Sequence, residues 1–182
     1  NELHCIPTGF KSNWILSRSF TKNTKIFYYD INNYMLKFKK NLIEKWDGYD
    51  YPKFINEYGF DPKVLPDDHN LETLQDEWRR ELVFWGGEDG FARMWNYQKN
   101  FEYKFIQLDL YNDFKQIKPS FGRNTCWFSN IFFYPTLFLT WDEQDVWTRF
   151  REFLDHFKSF RVYARDPFGG ISDDGSGIYR DR

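Results

Sequence analysis

The first 30 residues alternate between apolar and polar segments in a strand–helix–strand order. The apolar run 3–6 predicts a first strand, a turn containing Gly9 ends it, and residues 11–20 have the spacing of a short helix. Residues 25–29 predict a second strand, which ends at Asp30. A crossover of this length joins parallel strands with a right-handed connection. The start of the chain therefore predicts an open parallel sheet, in which ligands bind beyond the carboxyl ends of the strands.

The rest of the chain repeats this alternation of apolar runs and amphipathic segments. Further strands are predicted at 103–108, 125–128 and 160–164, and further helices near 33–46, 70–85, 88–101 and 142–158. The helix near 33 has Asn32 or Asn33 as its predicted cap. We therefore predict one α/β domain over residues 1–168. It is expected to be a three-layer sandwich with a mostly parallel central sheet of about five strands.

Two segments interrupt the pattern. Residues 46–70 contain turn signals and aromatic residues, and loops of this length are uncommon unless they are functional, so we interpret the segment either as a lid or as an irregular connection. Residues 169–182 are polar and rich in glycine, which predicts a tail. On the preceding helix, Lys37, Lys39 and Lys40 are interpreted as a solvated face, with a phosphate-binding patch as the alternative.

Composition changes this picture mainly through the aromatic residues, which make up 23% of the 182 residues. Buried aromatic rings supply large apolar areas, so we predict a core rich in Phe; the alternative is that some Trp and Tyr line a pocket for a planar or sugar ligand. The formal charge of −2 gives no general reason to expect a nucleic acid or an anionic membrane as partner. No signal peptide is visible, and the most apolar segment, 126–141, is too short to span a bilayer.

The cysteines and histidines predict neither a disulfide framework nor a metal site. Cys5 and Cys126 fall in predicted buried strands and have the pattern of small core residues, which favours a reducing, cytoplasmic compartment. The histidines are scattered without ligand spacing, at His4, His69 and His156. We therefore expect no bound metal.

Polar residues follow each of the first four predicted strands. If the strands are parallel, these residues line one edge of the sheet. An acid about 20 residues beyond a glycine turn is placed to accept hydrogen bonds from ribose hydroxyls. Each of the two acids has the alternative of a helix cap or turn, and the buried amide after the fourth strand either braces a loop or faces a ligand. The residues concerned are Thr8 and Gly9, then Asp30, then Asp109, then Ser129 and Asn130.

This layout resembles the class I S-adenosylmethionine-dependent methyltransferases, which have a Rossmann-like fold. By this resemblance, Thr8 and Gly9 form the first turn, which approaches the methionine part of the cofactor. Asp30 would then bind the ribose hydroxyls and Asp109 would contact the adenine. The resemblance covers nearly the whole chain and is carried by the order of elements and by these few positions.

The same resemblance implies a reaction edge at the end of the fourth strand. Ser129 would belong to the cofactor site, and Asn130 and Tyr134 would face the reacting methyl group of S-adenosylmethionine. Asn130 begins a segment similar to the Asn-Pro-Pro-Tyr motif of amino-methylating DNA enzymes, but the match is limited to its first and its aromatic positions, so nucleic acid is not the expected acceptor.

The function expected from the sequence is therefore methyl transfer from a small-molecule cofactor to an unidentified acceptor. The alternatives are a non-catalytic Rossmann-like binding module and an NAD-type nucleotide-binding oxidoreductase. The single glycine of the first turn counts against NAD, because a pyrophosphate needs close approach of the backbone. Since a strand begins almost at the first residue, we also expect an upstream domain of the same chain.

Overall fold

A computed structural model gives the fold. It describes residues 1–19, 23–58, 71–118, 120–128, 131, 142–163 and 178–180. The chain divides into two compact units. The first comprises Asn1–Lys40 with Phe101–Arg182, and the second is Asn41–Asn100.

The first unit is built on one sheet in the strand order β3-β2-β1-β4-β5-β6. Strands β1 to β4 are all parallel, β5 continues parallel to β4, and β6 is antiparallel to β5. The predicted α/β class and the mostly parallel sheet are confirmed. About five strands were predicted, whereas four longer parallel strands are extended by two strands of three residues each. The strands are β1 (Glu2–Cys5), β2 (Lys25–Asp30), β3 (Glu102–Gln107), β4 (Asn124–Trp127), β5 (Arg161–Tyr163) and β6 (Ile178–Arg180).

The helices begin where the sequence supplies side-chain caps. Asn32 Oδ1 accepts a hydrogen bond from Tyr34 N at 2.9 Å, so the predicted cap lies at the first of the two asparagines. Asp142 accepts one from Gln144 N in the same way. The helices are α1 (Lys11–Ser19), α2 (Asn33–Lys45), α3 (Tyr51–Tyr58), α4 (Leu71–Trp85), α5 (Glu88–Gln98), α6 (Leu110–Asp113) and α7 (Glu143–His156), with a 3₁₀ turn at Phe114–Gln116.

Both faces of the sheet are covered within the first unit. On one face, Tyr29 of β2 and Phe128, which follows β4, belong to a buried cluster with phenylalanines of α7 and of the 3₁₀ turn. On the other face, Tyr28 contacts Ser12 of α1 and Lys39 of α2. Strands buried on both faces of a parallel sheet are rich in apolar residues, and residues 26–29 of β2 form such a run.

The second unit is packed around Trp46. Its indole ring lies 5.0 Å from that of Trp95 and 5.4 Å from the ring of Phe91, centroid to centroid. Trp46 Nε1 donates to Tyr49 O, and Trp95 Nε1 donates to Trp46 O, so both buried indole N–H groups are hydrogen-bonded. In this unit the buried aromatic residues form the core, as the first of the two interpretations predicted.

Several expectations need correction or fall outside the described residues. The face with Lys37 and Lys40 is exposed as predicted, but Lys39 is only 1% exposed, so its assignment to a solvated face was wrong. Within the predicted insertion, Tyr51–Tyr58 is a helix, and residues 59–70 lie outside the described part of the chain. Of the predicted tail, Ile178–Arg180 is strand β6, and residues 169–177 and 181–182 lie outside the described part.

The remaining structural expectations concern the cysteines and the membrane. Cys5 and Cys126 are fully buried and form no disulfide bond, as expected of small core residues. In the described ranges, no helix has both the length and the apolar character to cross a membrane.

Candidate functional site

The carboxyl ends of β1, β2 and β3 form one edge of the sheet. Because β1 pairs with β2 and β2 with β3 in parallel, the segments that leave these strands emerge on the same side. Leu108 N donates to Asp30 O at 3.0 Å and Gln107 Nε2 donates to Ile31 O at 3.0 Å, which joins the exits of β2 and β3. This edge carries four of the seven predicted positions, which are Thr8, Gly9, Asp30 and Asp109. The other three, Ser129, Asn130 and Tyr134, lie outside the described residues.

Gly9 forms the exposed turn between β1 and α1, next to the exposed Thr8. Its φ of +63° lies in the left-handed region, which favours glycine. A Cβ added at this position would meet nothing within 4 Å, so the backbone angle, and not a shortage of space, accounts for the residue. The following residue, Phe10, accepts hydrogen bonds from Asn13 N and Trp14 N through its carbonyl and so starts α1.

The carbonyl of Gly9 is held by a side chain that the sequence interpretation placed in solvent. Lys39 Nζ donates to Gly9 O at 2.9 Å. The ammonium lies 5.2 Å from the ring centroid of Tyr28 and 5.8 Å from that of Phe10. The helical spacing could have predicted this burial, because Lys39 lies midway between the buried Leu36 and Leu42 on one face of α2.

Beneath this turn, burial keeps the thiol of Cys5 and the hydroxyl of Tyr28 in their neutral forms. Burial raises the pKa of the Cys5 thiol, an effect that the positive charge of Lys39 partly offsets. Burial also raises the pKa of Tyr28, whose hydroxyl is hydrogen-bonded to Ser12 Oγ at 3.1 Å. Neither a thiolate nor a phenolate is therefore available here as a nucleophile near neutral pH.

Asp30 ends β2 with a half-buried carboxyl group. Its Oδ1 accepts a hydrogen bond from Asn32 N at 2.8 Å, and among the described residues this is the one donor at the carboxyl group. Burial raises the pKa of Asp30, and the hydrogen bond from Asn32 acts in the opposite direction. The carboxylate is thus partly desolvated and retains capacity to accept further hydrogen bonds.

Asp109 caps the short helix α6. Its Oδ1 accepts hydrogen bonds from Tyr111 N and Asn112 N, and its Oδ2 accepts one from Asn112 Nδ2 at 2.7 Å. Both carboxyl oxygens are therefore engaged in starting the helix, as the helix-cap alternative anticipated. A contact of Asp109 with adenine, which remains a prediction, would have to share an oxygen with Asn112 Nδ2 or displace it.

These groups define what the edge can bind. An exposed turn at the end of β1 lets a ligand approach the backbone, and the neighbouring β2 presents a carboxylate that can accept hydrogen bonds from hydroxyl groups. Within the described ranges, no group of His, Cys, Asp and Glu side chains could hold a metal ion. The arrangement fits a polar organic ligand with hydroxyl donors.

Comparisons of the chain with protein-family models, with curated proteins and with solved structures gave no match. The chemistry of the sheet edge is therefore the basis on which a function can be inferred.

Proposed function

We propose that this chain is a Rossmann-like S-adenosylmethionine-dependent methyltransferase that acts on an unidentified acceptor. The strand order supports the proposal, because it runs outward from β1 through β2 to β3 on one side and through β4 on the other. In open parallel sheets of this kind, ligands bind outside the carboxyl ends of the strands, where the order reverses. Here that point lies between β1 and β4, and the exposed Gly9 turn follows β1.

The half-buried carboxyl group of Asp30 is the observation on which the proposal rests. A half-buried carboxylate with one hydrogen bond from the described protein is incompletely solvated, so a ligand with two adjacent hydroxyl groups would bind it favourably. The ribose of S-adenosylmethionine has such a pair of hydroxyls. Asp30 also lies on the strand next to β1, so a ribose bound there would lie beside the turn proposed to approach the methionine part.

In the proposed reaction the protein mainly binds and aligns its two substrates. S-adenosylmethionine supplies the methyl group from a sulfonium, and transfer is an in-line displacement, so proximity and orientation account for most of the rate enhancement. A general base is needed only where the acceptor carries a proton that must leave. The roles of Asn130 and Tyr134 at the reaction edge, and of Thr8 and Ser129 in cofactor binding, remain predictions from the family resemblance.

Calorimetric titration with S-adenosylhomocysteine tests the proposal, with Asp30→Ala as the informative variant. Hydrogen bonds to a charged group are worth about 1.5–3 kcal/mol, so this substitution is expected to weaken binding by about 10- to 100-fold. Asp155→Ala is the matched control, because Asp155 is an exposed aspartate in the last turn of α7, which leads into the opposite end of the sheet. Its affinity should equal that of the wild type.

The possible outcomes separate the three candidate functions. Tight binding of S-adenosylhomocysteine that depends on Asp30 supports the methyltransferase. Undiminished affinity in Asp30→Ala contradicts the cofactor assignment. If the wild type binds NAD and not S-adenosylhomocysteine, the oxidoreductase is favoured, and if it binds neither, the non-catalytic module is favoured. Circular dichroism of each variant shows whether its fold is retained.

A further inference from the structure

We propose that Lys39 is a positioning residue of this site, whose ammonium holds the Gly9 turn in the conformation that receives the cofactor. This inference rests on the proposed function for the identity of the ligand. The contact itself is independent of that identity, because Lys39 Nζ donates to Gly9 O at 2.9 Å in the protein alone.

The turn needs such a contact because packing does not fix it. Thr8 and Gly9 are exposed, and a Cβ atom added at Gly9 would have no neighbouring atom within 4 Å. Before the turn, Ile6 N is bonded to Trp127 O, and after it Phe10 O accepts the first bonds of α1. Between these two anchors, the Lys39 ammonium ties down the Gly9 carbonyl, which also fixes the direction of the adjoining peptide group.

A lysine is an energetically unfavourable residue for this buried position. The residue is 1% exposed and its ammonium lies over the rings of Phe10 and Tyr28. Burying an ammonium forfeits its hydration, and apolar residues of similar volume in such places are often neutral or stabilising. Methionine has nearly the same length and volume and fills irregular core positions well. Methionine would therefore pack as well as lysine at this position, whereas the hydrogen bond to the Gly9 carbonyl requires a donor.

This argument predicts that stability and binding respond differently to Lys39→Met. The melting temperature should stay the same or rise, while affinity for S-adenosylhomocysteine should fall by about tenfold, as expected for loss of a hydrogen bond made by a charged group. Hydrogen exchange of the Thr8 to Phe10 amides, measured without ligand, should become faster. Lys40→Met is the matched control, because Lys40 is the adjacent, exposed lysine of α2; it should leave all three measurements unchanged.

Two results would overturn the positioning role. One is unchanged affinity together with unchanged exchange at the turn. The other is a fall in affinity that merely follows a fall in melting temperature, which would indicate a structural role alone. If the wild type fails to bind S-adenosylhomocysteine, the proposed function is wrong, and the exchange measurement still decides whether Lys39 holds the turn.

Discussion

The stability of the first unit should depend on pH through the buried His4. His4 is 2% exposed in β1, and its ring is stacked on that of Phe27 at 4.7 Å. Its Nδ1 is hydrogen-bonded to Tyr29 Oη at 2.9 Å and its Nε2 to Glu2 Oε2 at 3.3 Å. Burial lowers the pKa of His4 from 6.5 to about 4, although the Glu2 carboxylate acts to raise it. The folded protein therefore resists protonation of this ring.

The direction and size of the effect follow from linkage. The unfolded chain takes up a proton at His4 below pH 6.5, whereas the folded chain does so only below about pH 4. Stability is therefore greatest above pH 6.5 and is lost as the pH falls through this window. At about 1.4 kcal/mol for each tenfold difference in proton affinity, the loss is about 2 kcal/mol near pH 5 and roughly 3 kcal/mol when complete.

Urea unfolding at a series of pH values between about 7 and 5 measures this loss, and His4→Gln isolates it. The variant is expected to be less stable near neutral pH, because Tyr29 and Glu2 lose their contacts with the His4 ring, but its stability should change less with pH than that of the wild type. Glu2→Gln is the complementary variant. Removing the carboxylate should lower the pKa of His4 further, so the loss of stability should extend to lower pH. If wild type and His4→Gln show the same slope between pH 6.5 and 5, the reasoning is refuted.

Two further substitutions test the packing of each unit by urea or thermal unfolding. Thr125 Oγ1 is buried, and no hydrogen-bond partner for it is found within the described residues, so Thr125→Val should stabilise the protein by about 1 kcal/mol; a loss of stability would show that the hydroxyl is satisfied. Gly48 has φ +96°, and an added Cβ would lie 3.0 Å from Ala92 Cα and 3.2 Å from Trp95 Cβ, so Gly48→Ala should cost more than about 2 kcal/mol. An unchanged midpoint for Gly48→Ala would mean that the turn readjusts without strain.

The sequence predicted the sheet well because its signals are local. The first strand was expected at 3–6 and lies at Glu2–Cys5, and the second was expected at 25–29 and lies at Lys25–Asp30. Both strands are short apolar runs bounded by turn residues, and the helix between them shows the amphipathic period. Element type and order follow from such patterns, whereas the exact ends depend on caps and on pairing with neighbouring strands.

The elements that the sequence did not reveal lack such signals. Pro52 is one of the turn signals of residues 46–70, yet it lies in the first turn of α3, where its missing N–H is not needed. Asp50 Oδ1 caps that helix by accepting a hydrogen bond from Lys53 N. Helix α6 has four residues, too few to show a period.

Lys39 was assigned to solvent by its residue type, and only the three-dimensional position of the Gly9 carbonyl explains why a lysine lies on the apolar stripe of α2.

The two acids at the sheet edge show what the structure adds to the sequence. Asp30 and Asp109 both follow parallel strands, and the sequence offered the same two interpretations for each. In the structure, both oxygens of Asp109 are engaged by the start of α6, so this carboxylate already has the partners that a desolvated charge needs. Asp30 has one hydrogen bond from the described residues, and burial raises its pKa.

A raised pKa at Asp30 also has a consequence for binding. Ribose hydroxyls donate best to the ionised carboxylate, so a ligand bound there should lower the pKa of Asp30, and its affinity should decline as the pH falls through the pKa of the free protein. Asp109 differs, because both of its oxygens already accept hydrogen bonds from the start of α6, so a ligand there would share an oxygen with the helix cap or displace it. Of the two acids, Asp30 is therefore the one whose charged form a bound ligand would stabilise further.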